Sequence, residues 1–161
     1  SNSSSYAQAI SDLKHCPQGA LRLRCFLICT ASEILAQCYS GSLVQKHTAK
    51  RTKRFWMSYG NCTQEDAEML FQCRNAVIHN YGNFAWDSKN KRELRFRYGS
   101  YRKPIERKGT QVSVGVSQWQ ELLHAASERY AADVYSSDIR MENFLTVWRK
   151  LGIHRGGESA F

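Results

Sequence analysis

Apolar and polar residues follow two different periods along this chain, and the change of period separates helical segments from strands. Helical spacing predicts four segments, at residues 20–39, 64–81, 117–134 and 144–151. The first is apolar almost all round, which predicts a central buried helix. A shorter helix is predicted at residues 6–16, where Pro17 and Gly19 would end it.

The period falls to two in the third quarter of the chain. Apolar residues alternate with polar or small residues in two runs. In the first, Leu94, Phe96 and Tyr98 alternate with Arg95 and Arg97; in the second, Val112, Val114 and Val116 alternate with Ser113 and Gly115. Two such runs joined by a basic loop containing Gly and Pro predict a β-hairpin. We therefore expect a mainly α fold, a small helical bundle with a β-hairpin insertion at about residues 93–116.

No repeat or linker divides the chain, so a single domain is expected over residues 1–161. Within it, residues 1–5 are predicted to be a disordered tag remnant, 88–110 a basic hairpin and loop, and 152–161 a frayed tail. No apolar run approaches the roughly 20 residues that cross a bilayer, so no membrane partner is expected. The six cysteines form no CxxC pair or metal-ligand spacing. Buried thiols in a reducing cytoplasm are therefore predicted, rather than a zinc site or a disulfide framework.

The net charge of +9 is concentrated in two stretches. Residues 88–108 hold nine Lys or Arg against two Glu, and residues 46–54 hold five Lys or Arg and no acid. Clustered positive charge is typical of proteins that bind a polyanion, although solvated basic loops have the same composition.

One cation interrupts an apolar helical face. The apolar residues of the segment 64–81 are Ala67, Leu70, Phe71, Val77, Ile78 and Tyr81. Arg74 lies midway between Ala67 and Tyr81, where a guanidinium loses hydration unless a partner satisfies it. It can pair with an acid or extend to solvent. Glu33, the lone acid of the first long helix, is either an internal partner for a buried cation or a rim residue that faces solvent. Arg74 can also serve a function.

The same helix carries groups that suit phosphodiester chemistry. A guanidinium at Arg74 can bind two phosphate oxygens and stabilise the charge of the transition state. The imidazole of His79 can accept or donate a proton near neutral pH. Asn75 and His79 share a flank of the helix, being four residues apart. Since no acidic cluster suits magnesium, attack by the RNA 2′-hydroxyl on its own phosphate fits better than two-metal hydrolysis, and no metal or cofactor is predicted.

A single histidine supplies one proton-transfer group, whereas an acid and a base are usually both needed. A symmetric dimer that brings two copies of this helix together would complete the set, and would explain an arginine on an apolar face. His79 has a simpler alternative role as a favourable charge at the negative end of its helix.

Arg74, Asn75 and His79 resemble the R-x4-6-H motif of the HEPN superfamily of small helical proteins. With Tyr81 they are similar to the R-x4-H-x-Y form of toxins encoded beside a nucleotidyltransferase antitoxin. The resemblance implies a homodimer and metal-independent RNA cleavage, with Arg74 and His79 catalytic and Asn75 orienting or supporting. It also implies that Tyr81 is a possible site where an antitoxin attaches AMP, although core packing is an alternative role for Tyr81.

The basic segment departs from the minimal HEPN bundle. We expect it to contact RNA together with the basic stretch that follows the first long helix; the candidate residues are Arg95, Arg97, Arg102, Lys103, Lys50, Arg51 and Arg54. It can equally cover one end of the bundle or dock an antitoxin. The sequence thus predicts an endoribonuclease of the toxin or phage-defence type; the alternative is a non-catalytic HEPN-like module that binds nucleotide or RNA, or dimerises for a partner.

Overall fold

The computed structural model describes residues 17–80 and 82–152, over which the chain is mainly helical with a small four-stranded sheet. The helices are α1 (Pro17–Ser40), α2 (Thr48–Tyr59), α3 (Gln64–His79), α4 (Val116–Ser136) and α5 (Asp138–Lys150), with a short 3-10 helix at Gln45–His47. The strands are β1 (Phe84–Asp87), β2 (Arg92–Gly99), β3 (Ile105–Lys108) and β4 (Gln111–Gly115). The predicted mainly α class is confirmed. The predicted helix at residues 6–16, the tag remnant and the tail beyond Gly152 lie outside the described residues.

Helix α3 begins and ends where its local chemistry predicts. Thr63 caps the first turn: its hydroxyl accepts from the Asp66 N–H at 3.1 Å, and the Asp66 carboxylate accepts from the Thr63 N–H at 3.4 Å. At the other end Gly82 has a φ of +82°, and its N–H donates to the Ala76 carbonyl at 2.8 Å. The helix itself ends at His79, two residues earlier than predicted.

The basic stretch at residues 46–54 is helical, in the 3-10 helix and the first turns of α2. It enters α2, an amphipathic helix whose inner side buries Phe55, Trp56 and Tyr59. Lys50 and Arg54 lie on the outer side and are exposed. Lys50 and Arg54 therefore place positive charge on the outer face of α2 and not on a loop.

The strands form a sheet, but not the predicted hairpin. Their order is β1-β2-β4-β3, with β1 antiparallel to β2, β2 parallel to β4, and β3 antiparallel to β4. The prediction that the two alternating runs form one hairpin is therefore wrong. Alternation fixes which side chains face the core and is the same for parallel and antiparallel neighbours. The unpredicted strand β3 returns the chain, so that β4 runs in the direction of β2.

The inner face of the sheet packs against α1 and α3, and the remaining helices close the core around aromatic side chains. Trp56 and Trp119 are each 1% exposed. Cys25, Cys29, Cys38 and Cys73 are buried free thiols, as predicted. Burial raises the pKa of Cys25 to about 12 and that of Cys38 to about 11, so both thiols stay protonated and unreactive at neutral pH.

Helix α1 is less buried than its composition suggests. Its inner side holds Cys25, Cys29 and Ala36, but Phe26, Leu27 and Ile34 are 42%, 57% and 39% exposed. The prediction of a central helix buried all round therefore holds for one side only. Over the described residues, none of the helices combines the length and the apolar character needed to span a bilayer.

Candidate functional site

Arg74 lies at the border of the buried face of α3, and not at its centre as the sequence pattern suggested. The buried residues of this helix are Ala67, Met69, Leu70, Cys73 and Ala76. This face is rotated from the predicted stripe, since Ile78 is exposed and Phe71 and Val77 are only partly buried. The Arg74 side chain is 18% exposed, so it keeps part of its surface in contact with solvent.

The guanidinium of Arg74 is held by three neighbours. Its Nε donates to the Glu33 carboxylate of α1, and its Nη1 donates to Asn75 Oδ1 at 3.2 Å. The guanidinium carbon lies 5.7 Å from the centre of the Phe71 ring. Glu33 is 19% exposed and therefore partners the arginine rather than occupying a solvent-facing rim. Because Nε and Nη1 donate to these neighbours, the guanidinium is fixed in orientation while Nη2 has no acceptor among the described residues.

His79 occupies the last position of α3 and is exposed. Three polar contacts fix the chain that follows it. The Tyr98 hydroxyl donates to the Gly82 carbonyl at 2.7 Å, and Asn80 Nδ2 donates to the Phe84 carbonyl at 3.0 Å. Nη2 of Arg22 donates to Asn83 Oδ1 at 2.9 Å.

The backbone that carries His79 is thus well anchored, but one copy of the chain does not join this residue to the arginine. In the described part of the molecule no hydrogen bond links His79 to Arg74 or Asn75. The predicted site is therefore assembled only in part: Arg74 and Asn75 are in contact, and His79 lies apart at the end of the same helix.

Exposed apolar side chains also occur on the two helices that meet at the Glu33–Arg74 pair. The Glu33–Arg74 and Arg22–Asn83 contacts show that α1 and α3 run antiparallel. Phe26 and Leu27 of α1 therefore lie level with the end of α3. Ile78 is 37% exposed in the last turn of that helix. We define the α1/α3 face as Phe26, Leu27, Glu33, Ile34, Arg74, Asn75, Ile78 and His79.

Arg51 is not available in the way its prediction as an RNA contact requires. It is 4% exposed, and its Nη1 donates to the carbonyls of Ser42 and Val44 at 3.1 and 2.8 Å. Its Nη2 donates to the Thr48 hydroxyl at 3.1 Å. Burial lowers the pKa of Arg51, and the Glu33 carboxylate opposes part of that shift. This arginine organises the loop between α1 and α2.

A pocket of about 420 Å³ lies beside Arg51 and has basic walls. Lys50 and Arg54, both predicted RNA contacts, line it together with His47 and Arg140. Arg140 is already engaged: it donates to the Tyr39 carbonyl at 3.2 Å, and its Nε lies 3.3 Å from Asp133. Lys50 and Arg54 are thus the exposed cations of this region.

The other predicted RNA contacts lie on and after β2. Arg95 and Arg97 point to the outer side of the sheet, and Arg102 and Lys103 are exposed in the loop that follows. Tyr98, the next residue of β2, is 6% exposed on the inner side. Sequence reasoning missed two aromatics that do lie outside, Phe84 and Trp86, because a four-residue strand gives too short a pattern to recognise.

Tyr81, predicted as a possible modification site, lies outside the described residues. Within residues 17–80 and 82–152, no three His, Cys, Asp or Glu side chains are grouped so that they could hold a metal ion. No family model, curated protein or solved structure matches this chain.

Proposed function

We propose that this chain is a metal-independent endoribonuclease of the HEPN toxin or phage-defence type, with its site shared between two copies. The observation that carries the proposal is the α1/α3 face. There an oriented arginine, its Asn75 partner and the exposed His79 lie on a packed pair of helices whose apolar side chains Phe26, Leu27, Ile34 and Ile78 are partly exposed. The residues proposed to be catalytic are Arg74 and His79, with Asn75 supporting the guanidinium.

The reaction needs a base, an acid and a group that stabilises negative charge. The base removes the proton from the RNA 2′-hydroxyl, the O2′–P bond forms, and the P–O5′ bond breaks. The acid then protonates the leaving 5′-oxygen, which leaves a 2′,3′-cyclic phosphate and a 5′-hydroxyl. His79 supplies one of the proton transfers, and the copy of His79 in a second chain supplies the other. Arg74 binds the phosphate oxygens on which charge accumulates.

A second copy is the expected occupant of the α1/α3 face. Phe26, Leu27, Ile34 and Ile78 are exposed apolar side chains on the two helices that meet at the Glu33–Arg74 pair, and apolar side chains are typical of the centres of homodimer interfaces. A two-fold axis near α3 would bring two arginines and two histidines to one cleft. Lys50, Arg54, Arg95, Arg97, Arg102 and Lys103 are proposed to contact the RNA backbone outside that cleft.

The Glu33–Arg74 ion pair favours a second candidate function. A carboxylate that neutralises the arginine competes with phosphate, and a paired arginine would be explained by structure alone. In that case the chain is a non-catalytic HEPN-like module that binds nucleotide or RNA, or dimerises for a partner such as an antitoxin of the nucleotidyltransferase type or another kind.

Cleavage in the presence of EDTA separates the two candidates. Purified protein is incubated with labelled single-stranded RNA and EDTA, alongside Arg74→Ala and His79→Ala. His124→Ala and Arg149→Ala are matched controls, because both residues are exposed on other helices. We expect cleavage by the wild type and by both controls, with a loss of at least about 100-fold in the two site variants. Binding without cleavage supports the non-catalytic module, and cleavage equal in all five proteins refutes the assigned site.

The shared site has its own test. Leu27→Glu places a charge on the α1/α3 face, whereas Ile139→Glu alters an apolar side chain that is 70% exposed on α5. Analytical ultracentrifugation at micromolar concentration is expected to show a dimer for the wild type and Ile139→Glu and a monomer for Leu27→Glu. The monomer should have lost RNA cleavage. A wild type that cleaves RNA as a monomer would contradict the shared site.

A further inference from the structure

The outer face of the sheet presents two neighbouring aromatic rings to solvent. Alternation in β1 turns Ala85 and Asp87 inward and leaves Phe84 42% and Trp86 59% exposed. By contrast, Trp56 and Trp119 are each 1% exposed. An indole with more than half its surface in water gains little for the fold, and two such rings side by side form an apolar patch that a binding partner would explain.

The register of β1 on β2 places a cation, Arg95, across from Phe84 and an acid, Glu93, across from Trp86. Arg97 follows Arg95 two residues later on the same side of β2. Arg95 is 75% exposed and its Nε donates to Glu93 at 2.9 Å, while Arg97 lies opposite Ser113, a short side chain on β4. We define the stacking face as Phe84, Trp86, Arg95 and Arg97.

The spacing of the two rings suits unpaired bases. Residues two apart on one side of a strand are separated by about 7 Å. This is about twice the 3.4 Å rise per base in a duplex strand, so each ring can hold one base only if the nucleotide strand is extended. Aromatic rings with arginines beside them are the common means by which proteins hold single strands without reading their sequence.

The charges on this side of the sheet also favour nucleic acid over an apolar partner. The outward cations are Arg95, Arg97 and Lys108, and the outward acids are Glu93 and Glu106. Arg102 and Lys103 stand beyond the end of β2 and are exposed. A protein that docked on the two rings would bury several of these charges without opposite partners, whereas a phosphate backbone pairs with them.

The stacking face follows the candidate site closely along the chain. Only four residues separate His79 from Phe84, and the Asn80 side chain ties the two ends of this turn through the Phe84 carbonyl.

We propose that the stacking face binds two unpaired bases of single-stranded RNA, with Trp86 and Phe84 as the stacking groups and Arg95 and Arg97 at the backbone. The proposal deepens the proposed function and rests on it, because RNA is taken to be the ligand.

Binding of a 2′-O-methyl 12-mer tests the proposal without requiring catalysis, since this strand has no 2′-hydroxyl to attack. Trp86→Ala is expected to weaken binding about 5- to 100-fold in fluorescence anisotropy, and Trp86→Phe, which keeps a ring, by less than about 5-fold. Phe84→Ala should weaken it in the same range as Trp86→Ala. Tyr135→Ala removes another exposed aromatic, on α4, and should leave binding unchanged. Tryptophan quenching by the 12-mer should disappear in Trp86→Phe.

Several results would overturn the stacking face. They are equal binding by Trp86→Ala and the wild type, equal binding of the 12-mer and its annealed duplex, or quenching that persists in Trp86→Phe. Loss of cleavage in Arg74→Ala with normal 12-mer binding would leave both proposals standing. Normal 12-mer stacking by a wild type that cleaves no RNA would refute only the nuclease.

Discussion

Arg51 on α2 and Arg74 on α3 are both helical arginines withdrawn from water, and the sequence assigned both to RNA. Their surroundings differ in one respect that matters. Arg51 is 4% exposed. It donates to two backbone carbonyls of the preceding loop and to a hydroxyl of its own helix, so its contacts are structural. Arg74 is 18% exposed, pairs with a carboxylate from another helix, and stands among apolar groups that reach solvent.

Burial alone therefore does not decide whether an arginine serves the fold or can bind a ligand. Arg51 would lose three hydrogen bonds together if it turned to a ligand, so it is committed to the loop. Glu33 is partly hydrated and can accept water if Arg74 turns to a phosphate. Arg74 is thus the arginine that an anionic ligand can recruit at low cost.

The largest expected effect is on RNA cleavage, and it is tested by replacing each arginine in turn by lysine. Lysine keeps the positive charge but lacks the planar guanidinium. Arg74→Lys should lower RNA cleavage about 100-fold, because one ammonium cannot bind two phosphate oxygens in the same geometry. Arg51→Lys should leave cleavage per folded molecule unchanged. Single-turnover cleavage at a temperature where both variants are folded makes the comparison, and equal losses in both would remove the distinction between the two sites.

The second effect concerns stability and reverses the order of the two arginines. Arg51→Ala removes a buried donor of three hydrogen bonds, to the carbonyls of Ser42 and Val44 and to the Thr48 hydroxyl, and should lower the free energy of unfolding by about 3 kcal/mol. Arg54→Ala, an exposed neighbour on the same helix, should change it by less than about 0.5 kcal/mol. Urea unfolding followed by circular dichroism gives both values. If Arg51→Ala lowers the free energy of unfolding by less than about 1 kcal/mol, the hydrogen bonds of Arg51 to the loop are not formed in solution.

Sequence reasoning succeeded where the determining contacts are local. The limits of α3 follow from Thr63, Asp66 and Gly82, each of which acts within one turn of its own helix end. It failed where partners come from far along the chain. The parallel pairing of β2 with β4 depends on β3, whose four residues include one buried apolar side chain, Ile105.

The candidate site shows the same division. Arg74, Asn75 and His79 were identified from their spacing, because residues on one helix have a fixed geometry. The Glu33 partner was one of two open possibilities, since the two residues are 41 positions apart and only the packing of α1 on α3 brings them together. The exposure of Phe26, Leu27 and Ile34 could not be foreseen from an apolar run, which has the same appearance in a buried helix and at an interface.

The smallest effect, and the one that bears most directly on Arg74, is the strength of its ion pair. A double-mutant cycle with Glu33→Gln and Arg74→Met measures the coupling in urea unfolding, and for a pair about one-fifth exposed we expect about 1 kcal/mol. Coupling of that size leaves the guanidinium available to a phosphate, because a charge-assisted hydrogen bond to the ligand can replace it. A coupling above about 3 kcal/mol would mean that Arg74 is committed to Glu33 as Arg51 is to its loop. Glu33→Gln should also retain RNA cleavage, because the amide oxygen still accepts from Arg74 Nε while the charge that competes with phosphate is gone. Loss of cleavage in that variant would mean that Glu33 itself takes part in the reaction.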